Sequence, residues 1–424
     1  MLTAIVGVNW GDEGKGRMVD LLSEDYDIVV RYQGGNNAGH TVINDKGKFI
    51  LNLLPSGILR QDVVNVLGNG MVIDLEHLYN EAGRLQDGGI AVTPDNLKIS
   101  ERAVICMPYD VRQDALEEER LADAKYGSTR RGIAYVYGDK YMKKAIRMCD
   151  LKDADKLKKK VAEITEWKNL TIERAYGAQK ISADEMYQWL VQYGDPFKAH
   201  ISDTGVFLDD AVKQGRKVMF EAQLGALRDI DFGIYPYTSS SSTIAAYAPI
   251  GAGIPGCKLD STIGIVKAYS SCVGEGPFTA EMFGEEAEKL REQGGEYGAA
   301  TGRPRRVGPF DVPASRYGVW VQGADALALT KMDVLSYMDK IPVCVQYELD
   351  GKKIDSFPVG SDLERAKPVI DYMDGWGCDI CKIRKQADLP RQALDYIKYI
   401  EKAVCCPVKY VSVGPERDAY LIME

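Results

Sequence analysis

No apolar run in the chain approaches the ~18 residues needed to cross a bilayer, so a membrane span is not expected. A basic surplus is missing too. The formal net charge is −9 over 424 residues, whereas a nucleic-acid partner normally calls for a basic domain. The opening apolar stretch is too short for a secretion signal and runs straight into a glycine-rich turn, which points to a cytoplasmic protein. Internal repeats and low-complexity linkers are absent. The nine cysteines are odd in number and lack a secreted context, so they read as reduced thiols. Cys378 and Cys381 have zinc-like spacing, but Cys405 and Cys406 are adjacent and no histidine lies near, so no structural metal is expected. Histidine is scarce: His40, His77 and His200 are the whole set.

The chain does contain an ordinary globular balance, 45% hydrophobic and 27% charged residues. Short β-branched runs at 27–31, 62–67, 217–220, 262–267, 326–329, 341–345 and 408–412 alternate with amphipathic stretches at 75–85, 151–164, 204–214, 280–293 and 391–403. Such alternation predicts an α/β fold: a large, mainly parallel twisted sheet flanked by helices. Residues 108–200 are charged and helical in pattern and read as an insertion over the sheet, with active-site loops around 270–310. One elaborated α/β domain over 1–424 is expected.

Strand 2–8 opens onto Asn9-Trp-Gly-Asp-Glu-Gly-Lys-Gly-Arg17 and then an apolar-periodic helix. Strand, glycine turn, helix is the layout that offers backbone N–H groups and a helix N-terminus to phosphate. As a P-loop it departs from G-x-x-x-x-G-K-[ST]: Asn9 and Gly16 stand where glycine and a hydroxyl belong. Asp12, a carboxylate among phosphate-binding amides, is repelled by the anion unless it holds a metal or moves a proton. A second loop, Gln33-Gly-Gly-Asn-Asn-Ala-Gly-His-Thr41, follows the second strand and ends in His40, either a structural residue or a catalytic one. His77 and His200 sit in polar helical contexts and read as surface residues.

Thr330-Lys-Met-Asp333 follows a hydrophobic strand, as guanine-reading tetrapeptides do, and is otherwise a surface turn. Gly298–Arg306 carries three arginines in four residues, either a solvated basic turn or a clamp for carboxylate or phosphate. The hydroxyl-rich loops at 237–243 and 127–132 are ordinary loops or phosphate holders. Together these features describe an enzyme coupling GTP to chemistry on another anionic substrate.

The segments Trp10–Gly16, Arg31–Thr41, 54–59, 68–70, 229–231, 235–237, 267–270, 276–278, 301–303 and 330–333 resemble adenylosuccinate synthetase along essentially the whole chain. The resemblance implies GTP-dependent ligation of IMP and L-aspartate through 6-phosphoryl-IMP, with GTP as co-substrate and one Mg²⁺ per active site. It implies Asp12 as base and metal ligand with the Gly39 carbonyl, His40 as general acid, and Lys15 as phosphoryl stabiliser. GTP would be met by Gly11, Asp12, Glu13, Gly14, Lys15, Gly16 and Arg17, by Gly39, His40 and Thr41, and by Arg305. Around guanine the resemblance places Lys331, Met332 and Asp333 with Ser412, Val413 and Gly414. IMP would be held by Asp12, Asn37, Ala38, Gly39, His40, Thr129, Lys143, Gln223, Leu224, Ser239 and Arg303. L-Aspartate would meet Ala299, Ala300, Thr301, Gly302, Arg303 and Arg305.

Departures cluster on the IMP side. Lys143 stands where the family usually has an arginine reaching the IMP phosphate of the second subunit of a homodimer, which keeps charge but loses bidentate geometry. Leu224 occupies the usual glutamine position, with Gln223 one residue earlier. Ser239 replaces threonine, Arg130 a glycine, and Ala300 and Pro304 alter the aspartate loop. Normal chemistry with weakened or altered monophosphate affinity is expected. Two other readings compete: a ligase paralogue acting on a different purine monophosphate, which has less use for Asp12, and a non-catalytic GTP-binding regulator, which has no use for the arginine loop.

Overall fold

The structure, a computed structural model, describes residues 1–37, 39–44, 47–124, 126–298 and 302–424. Its spine is a sheet of ten described strands, in the spatial order Tyr420–Ile422, Val408–Ser412, Ala326–Thr330, Ser261–Lys267, Leu2–Gly7, Val218–Glu221, Ile28–Arg31, Val64–Leu67, Leu97–Ser100 and Ile201–Ser202. All neighbours run parallel except the edge strand Tyr420–Ile422. The interior strands are apolar runs because helices cover both faces. Leu2–Gly7 lies in the middle and is buried along its whole length.

Helix Lys15–Leu22 follows that strand and lays Met18 and Val19 on Ile5, Val29, Ile263, Ile265 and Ala328. In open α/β sheets the crevice beyond the carboxyl ends of the strands is where ligands bind. Here the loops after Leu2–Gly7, Ile28–Arg31, Val218–Glu221, Ala326–Thr330 and Val408–Ser412 all leave from that end. These are the segments in which the sequence placed its motifs.

Over the expected insertion lie helices Pro108–Leu121, Ile133–Met142, Ala154–Arg174 and Ala183–Gly194. Leu157, Val161, Met186 and Leu190 share one core with Leu97 and Ile99 of the sheet.

Several expectations are corrected. The run at 341–345 belongs to a second sheet, where Lys340–Leu349 pairs antiparallel with Lys367–Asp374 and Lys352–Ile354. The helix expected from 151 starts at Ala154 after a short 3-10 turn, and the one expected from 280 starts at Gly284. His200 is buried, not a surface residue: its Nδ1 lies 3.0 Å from the Leu97 carbonyl, and burial lowers its pKa. His77 is half-buried, with Nε2 3.1 Å from Asn52 Oδ1. Charged neighbours in sequence say little about which face of a helix is packed.

Candidate active site

The loop after Leu2–Gly7 turns on three left-handed residues, Gly11 (φ 99°), Asp12 (φ 59°) and Gly14 (φ 99°). Asp12 adopts a conformation that most side chains avoid, which presents its carboxylate outward at the rim of the loop. Glu13 points inward. Its Oε1 accepts the Asn9 and Gly11 amides at 3.1 and 2.8 Å, and its Oε2 takes the Lys15 ammonium at 2.7 Å. The structure therefore neutralises part of the P-loop internally. The N–H groups in the first turn of helix Lys15–Leu22 remain as the anion-facing donors.

Gly16 is explained by His40. A Cβ at position 16 would lie 2.6 Å from the His40 Cβ, so the hydroxyl residue of an ordinary P-loop has no room. The imidazole takes that space. His40 Nδ1 lies 2.5 Å from Glu221 Oε1, and Glu221 in turn accepts the Ser56 amide at 2.8 Å and the Ser56 hydroxyl at 2.7 Å. Arg31 is fully buried nearby, and its charge acts on Glu221. Burial pushes the Glu221 carboxyl up, but His40, Arg31 and Ser56 together hold it below its usual value. An ionised Glu221 is an acceptor only, so Nδ1 carries the hydrogen and Nε2 faces away from the pair. Burial lowers the His40 pKa, with Glu221 opposing. Glu221 went unnoticed in the sequence. Its one signal was a carboxylate ending the apolar strand Val218–Glu221.

On the other side of the loop, Arg305 Nη2 lies 3.1 Å from Asp12 Oδ2, and Arg305 Nη1 lies 2.8 Å from Glu296 Oε2. The expected guanine readers assemble next to them. Met332 donates its amide to the Ser412 carbonyl at 3.2 Å, which joins Thr330–Asp333 to the 412–414 turn. Arg17 fastens that turn, reaching Ser412 Oγ at 2.8 Å and the Gly414 carbonyl at 2.7 Å. Lys331 is left-handed (φ 62°) and its ammonium meets the Gly294 carbonyl. Burial raises the Asp333 pKa and lowers that of Lys331. Val413 is fully buried and supports the turn through its backbone.

A cleft of about 1420 Å³ opens over Gly11 and Asp12, and Asn37, Gly39, Thr129, Leu224, Ser239 and Arg305 line it. Gln223 is turned away from it. Its Nε2 donates to the Gly35 carbonyl at 2.5 Å, and the side chain is fully buried, so Leu224 alone presents at that point of the wall. Arg303 reaches Glu275 at 3.3 Å beside Gly302. Lys143 is exposed at the left-handed end of helix Ile133–Met142, next to the exposed Tyr141 and Met142. Ala38, Ala299, Ala300, Thr301 and the Thr41 side chain lie outside the described residues.

Among the described residues no group of three or more acidic, histidine or cysteine side chains forms a metal cage. Asp12 and Gly39 line the same cleft, and the Asp12 carboxylate with a backbone carbonyl there would be a sparse oxygen donor set. That suits Mg²⁺, which keeps waters and is held largely through substrate phosphates. The guanidinium 3.1 Å from Asp12 already shows a cation seated at that carboxylate.

A model of the family described as adenylosuccinate synthetase matches residues 4–421. The adenylosuccinate synthetase of Caldanaerobacter subterraneus subsp. tengcongensis is 43% identical over 423 residues, 100% of this chain and 99% of that protein. That of Carboxydothermus hydrogenoformans is 45% identical over 421 residues, covering 99% and 98% of the two chains. The fully ligated adenylosuccinate synthetase of Plasmodium falciparum superposes with a TM-score of 0.93 at 34% identity, covering 100% of this chain and 99% of that one. The succinoaminodeoxyadenylate synthetase of cyanophage S-2L, bound to dGMP and dATP, shares the fold with a TM-score of 0.62 at 18% identity, covering 99% and 95%.

Proposed function

The chain belongs to the adenylosuccinate synthetase family and is a ligase that joins IMP to L-aspartate with GTP in AMP biosynthesis; we propose that Asp12, His40 and Lys15 carry its chemistry. Asp12 takes the N1 proton of IMP, which leaves O6 electron-rich. O6 then attacks the γ-phosphorus of GTP and releases GDP. The amine of L-aspartate displaces phosphate from C6 of 6-phosphoryl-IMP, the new C–N bond replacing C–O, and adenylosuccinate results. His40 donates a proton from Nε2 as charge grows on the phosphoryl oxygens. Positioned proton transfers of this kind contribute ~10²–10⁴-fold each.

Glu221 holds the imidazole in register for that donation and, being ionised, favours its protonated form. Lys15, held in the loop floor by Glu13, stabilises the transferring phosphoryl group together with the helix amides. Mg²⁺, held by the Asp12 carboxylate and the Gly39 carbonyl, would neutralise charge on the GTP phosphates. Lys331 and Asp333 read guanine beside the 412–414 turn that Arg17 fastens. Asn37, Thr129 and Ser239 face IMP from the cleft wall, and Arg303 and Arg305 meet the L-aspartate carboxylates. We place the enzyme in the cytoplasm as a homodimer in which the exposed Lys143 reaches the neighbouring IMP phosphate.

The observation that supports this reading most is the exchange at Gly16: the space of a P-loop hydroxyl is filled by His40, and His40 is anchored by Glu221. The test is product formation with GTP, Mg²⁺, L-aspartate and either IMP, GMP or dGMP. Adenylosuccinate from IMP alone supports the reading. Leu224 in the cleft wall, with Gln223 turned inward, is what favours an altered nucleotide preference. Turnover with the guanine nucleotides alone would establish that alternative instead.

A further inference from the structure

Glu296 has no role in the mechanism above, yet it is fully buried among three cations. It follows helix Gly284–Gly294 and reaches under the carboxyl ends of two central strands. Its Oε1 accepts Lys267 Nζ at 2.7 Å and the Tyr269 hydroxyl at 2.5 Å, with Lys331 Nζ at 3.8 Å. Its Oε2 accepts Arg305 Nη1 at 2.8 Å. The backbone repeats the tie, since the Arg305 amide donates to the Glu296 carbonyl at 2.9 Å. Burial pushes this carboxyl upward, but the surrounding cations hold it well below the usual carboxylate range.

A carboxylate with this many partners is either a structural counter-ion or a shared anchor. The geometry decides between them. Lys331 lies in the tetrapeptide on the guanine side and Arg305 on the aspartate side, and both ammonium and guanidinium converge on one carboxyl group. Arg305 is held on two edges, Nη1 by Glu296 and Nη2 by Asp12, while its Nε is buried without a partner. Without the carboxylate, Lys267, Lys331 and Arg305 repel one another in a poorly hydrated site, where such forces are weakly screened.

We propose that Glu296 is a positioning residue that ties the arginine receiving L-aspartate to the lysine beside guanine, so that both substrates depend on one buried carboxylate. This rests on the assignment of Arg305 to L-aspartate and Lys331 to GTP. Lys331→Gln and Arg305→Lys test that assignment separately: if neither changes its own substrate's KM, the assignment fails whatever Glu296 does.

With the assignment intact, Glu296→Gln keeps the shape and removes the charge. The expected result is a rise of about tenfold in KM for L-aspartate, the size of losing the charge-assisted hydrogen bond to Arg305 (~1.4 kcal/mol per factor of ten), and a smaller rise of about threefold in KM for GTP, because Lys331 lies 3.8 Å away and feels the carboxylate by charge alone, with kcat within about threefold. Glu296→Asp should recover part of both. Tyr269→Phe removes one hydrogen bond without removing charge and should raise both KM values by about two- to threefold, which keeps the test open if Glu296→Gln does not fold. A lower Tm with both KM values unchanged, or a change confined to one substrate, overturns the proposal.

Discussion

Replacing Glu221 by glutamine perturbs His40 without touching substrate. The pair is closed from solvent, with His40 7% exposed and Glu221 0%. Glutamine keeps the volume, and its oxygen can still accept from Nδ1. Its NH₂ group, however, would face the Ser56 amide, a donor that lies 2.8 Å from the carboxylate. One charge-assisted hydrogen bond is lost, about 1.5–3 kcal/mol, and the positive imidazole loses its counter-charge. Converted at ~1.4 kcal/mol per factor of ten, the expected loss in kcat is about 10- to 10²-fold. KM for IMP and GTP should stay within about threefold, because Glu221 meets neither.

The pH profile gives a sharper signature. Burial lowers the His40 pKa and Glu221 raises it, so removing Glu221 lets burial act unopposed. An acid that must be protonated then loses its proton at lower pH, and the alkaline limb of kcat should move downward. Glu221→Asp should restore part of the rate. A Glu221→Gln enzyme with wild-type kcat and an unmoved alkaline limb would refute the role given to this pair.

Three further outcomes follow from particular contacts. Gly16→Ser restores the P-loop hydroxyl but places a Cβ 2.6 Å from that of His40; kcat should fall about 10²-fold or more, with overpacking costing about 1–3 kcal/mol in urea unfolding, and unchanged kcat would contradict the exchange. Arg17→Ala unfastens the 412–414 turn from the P-loop helix and should raise KM for GTP about tenfold, with KM for IMP steady, measured by initial rates. Lys143→Ala should raise KM for IMP several-fold and Lys143→Arg should restore or lower it, since a guanidinium grips phosphate bidentately; unchanged kinetics in both would remove the cross-subunit contact.

The sequence carried most of the frame because motifs in parallel sheets collect at strand ends. The loop at 9–17, the loop ending in His40 and the 330–333 tetrapeptide all follow strands of one sheet and meet at one rim. What stayed hidden were the partners. Glu221 and Glu296 are single carboxylates without a pattern, and their meaning depends on who faces them after folding. The Lys15–Glu13 ion pair likewise joins two residues whose side chains a linear reading cannot orient. The second sheet has a different reason: residues 341–345 look like any apolar strand, and the antiparallel partner at Lys367–Asp374 is mostly exposed, its apolar residues interrupted by Asp371 and flanked by Lys367 and Asp374. Gly16, a missing hydroxyl in the linear pattern, is a required vacancy beside His40.

In the mechanism proposed above, one loop both cradles phosphate and, through Asp12, generates the nucleophile that attacks it. Asp12→Asn keeps the left-handed turn at φ 59° and the side-chain size while removing the base. Its adenylosuccinate formation at saturating GTP, Mg²⁺, IMP and L-aspartate, measured beside IMP binding on the same preparation, is the direct test. The account predicts a loss in kcat of about 10³-fold or more with IMP affinity within about tenfold. Turnover within tenfold of the wild type would contradict it.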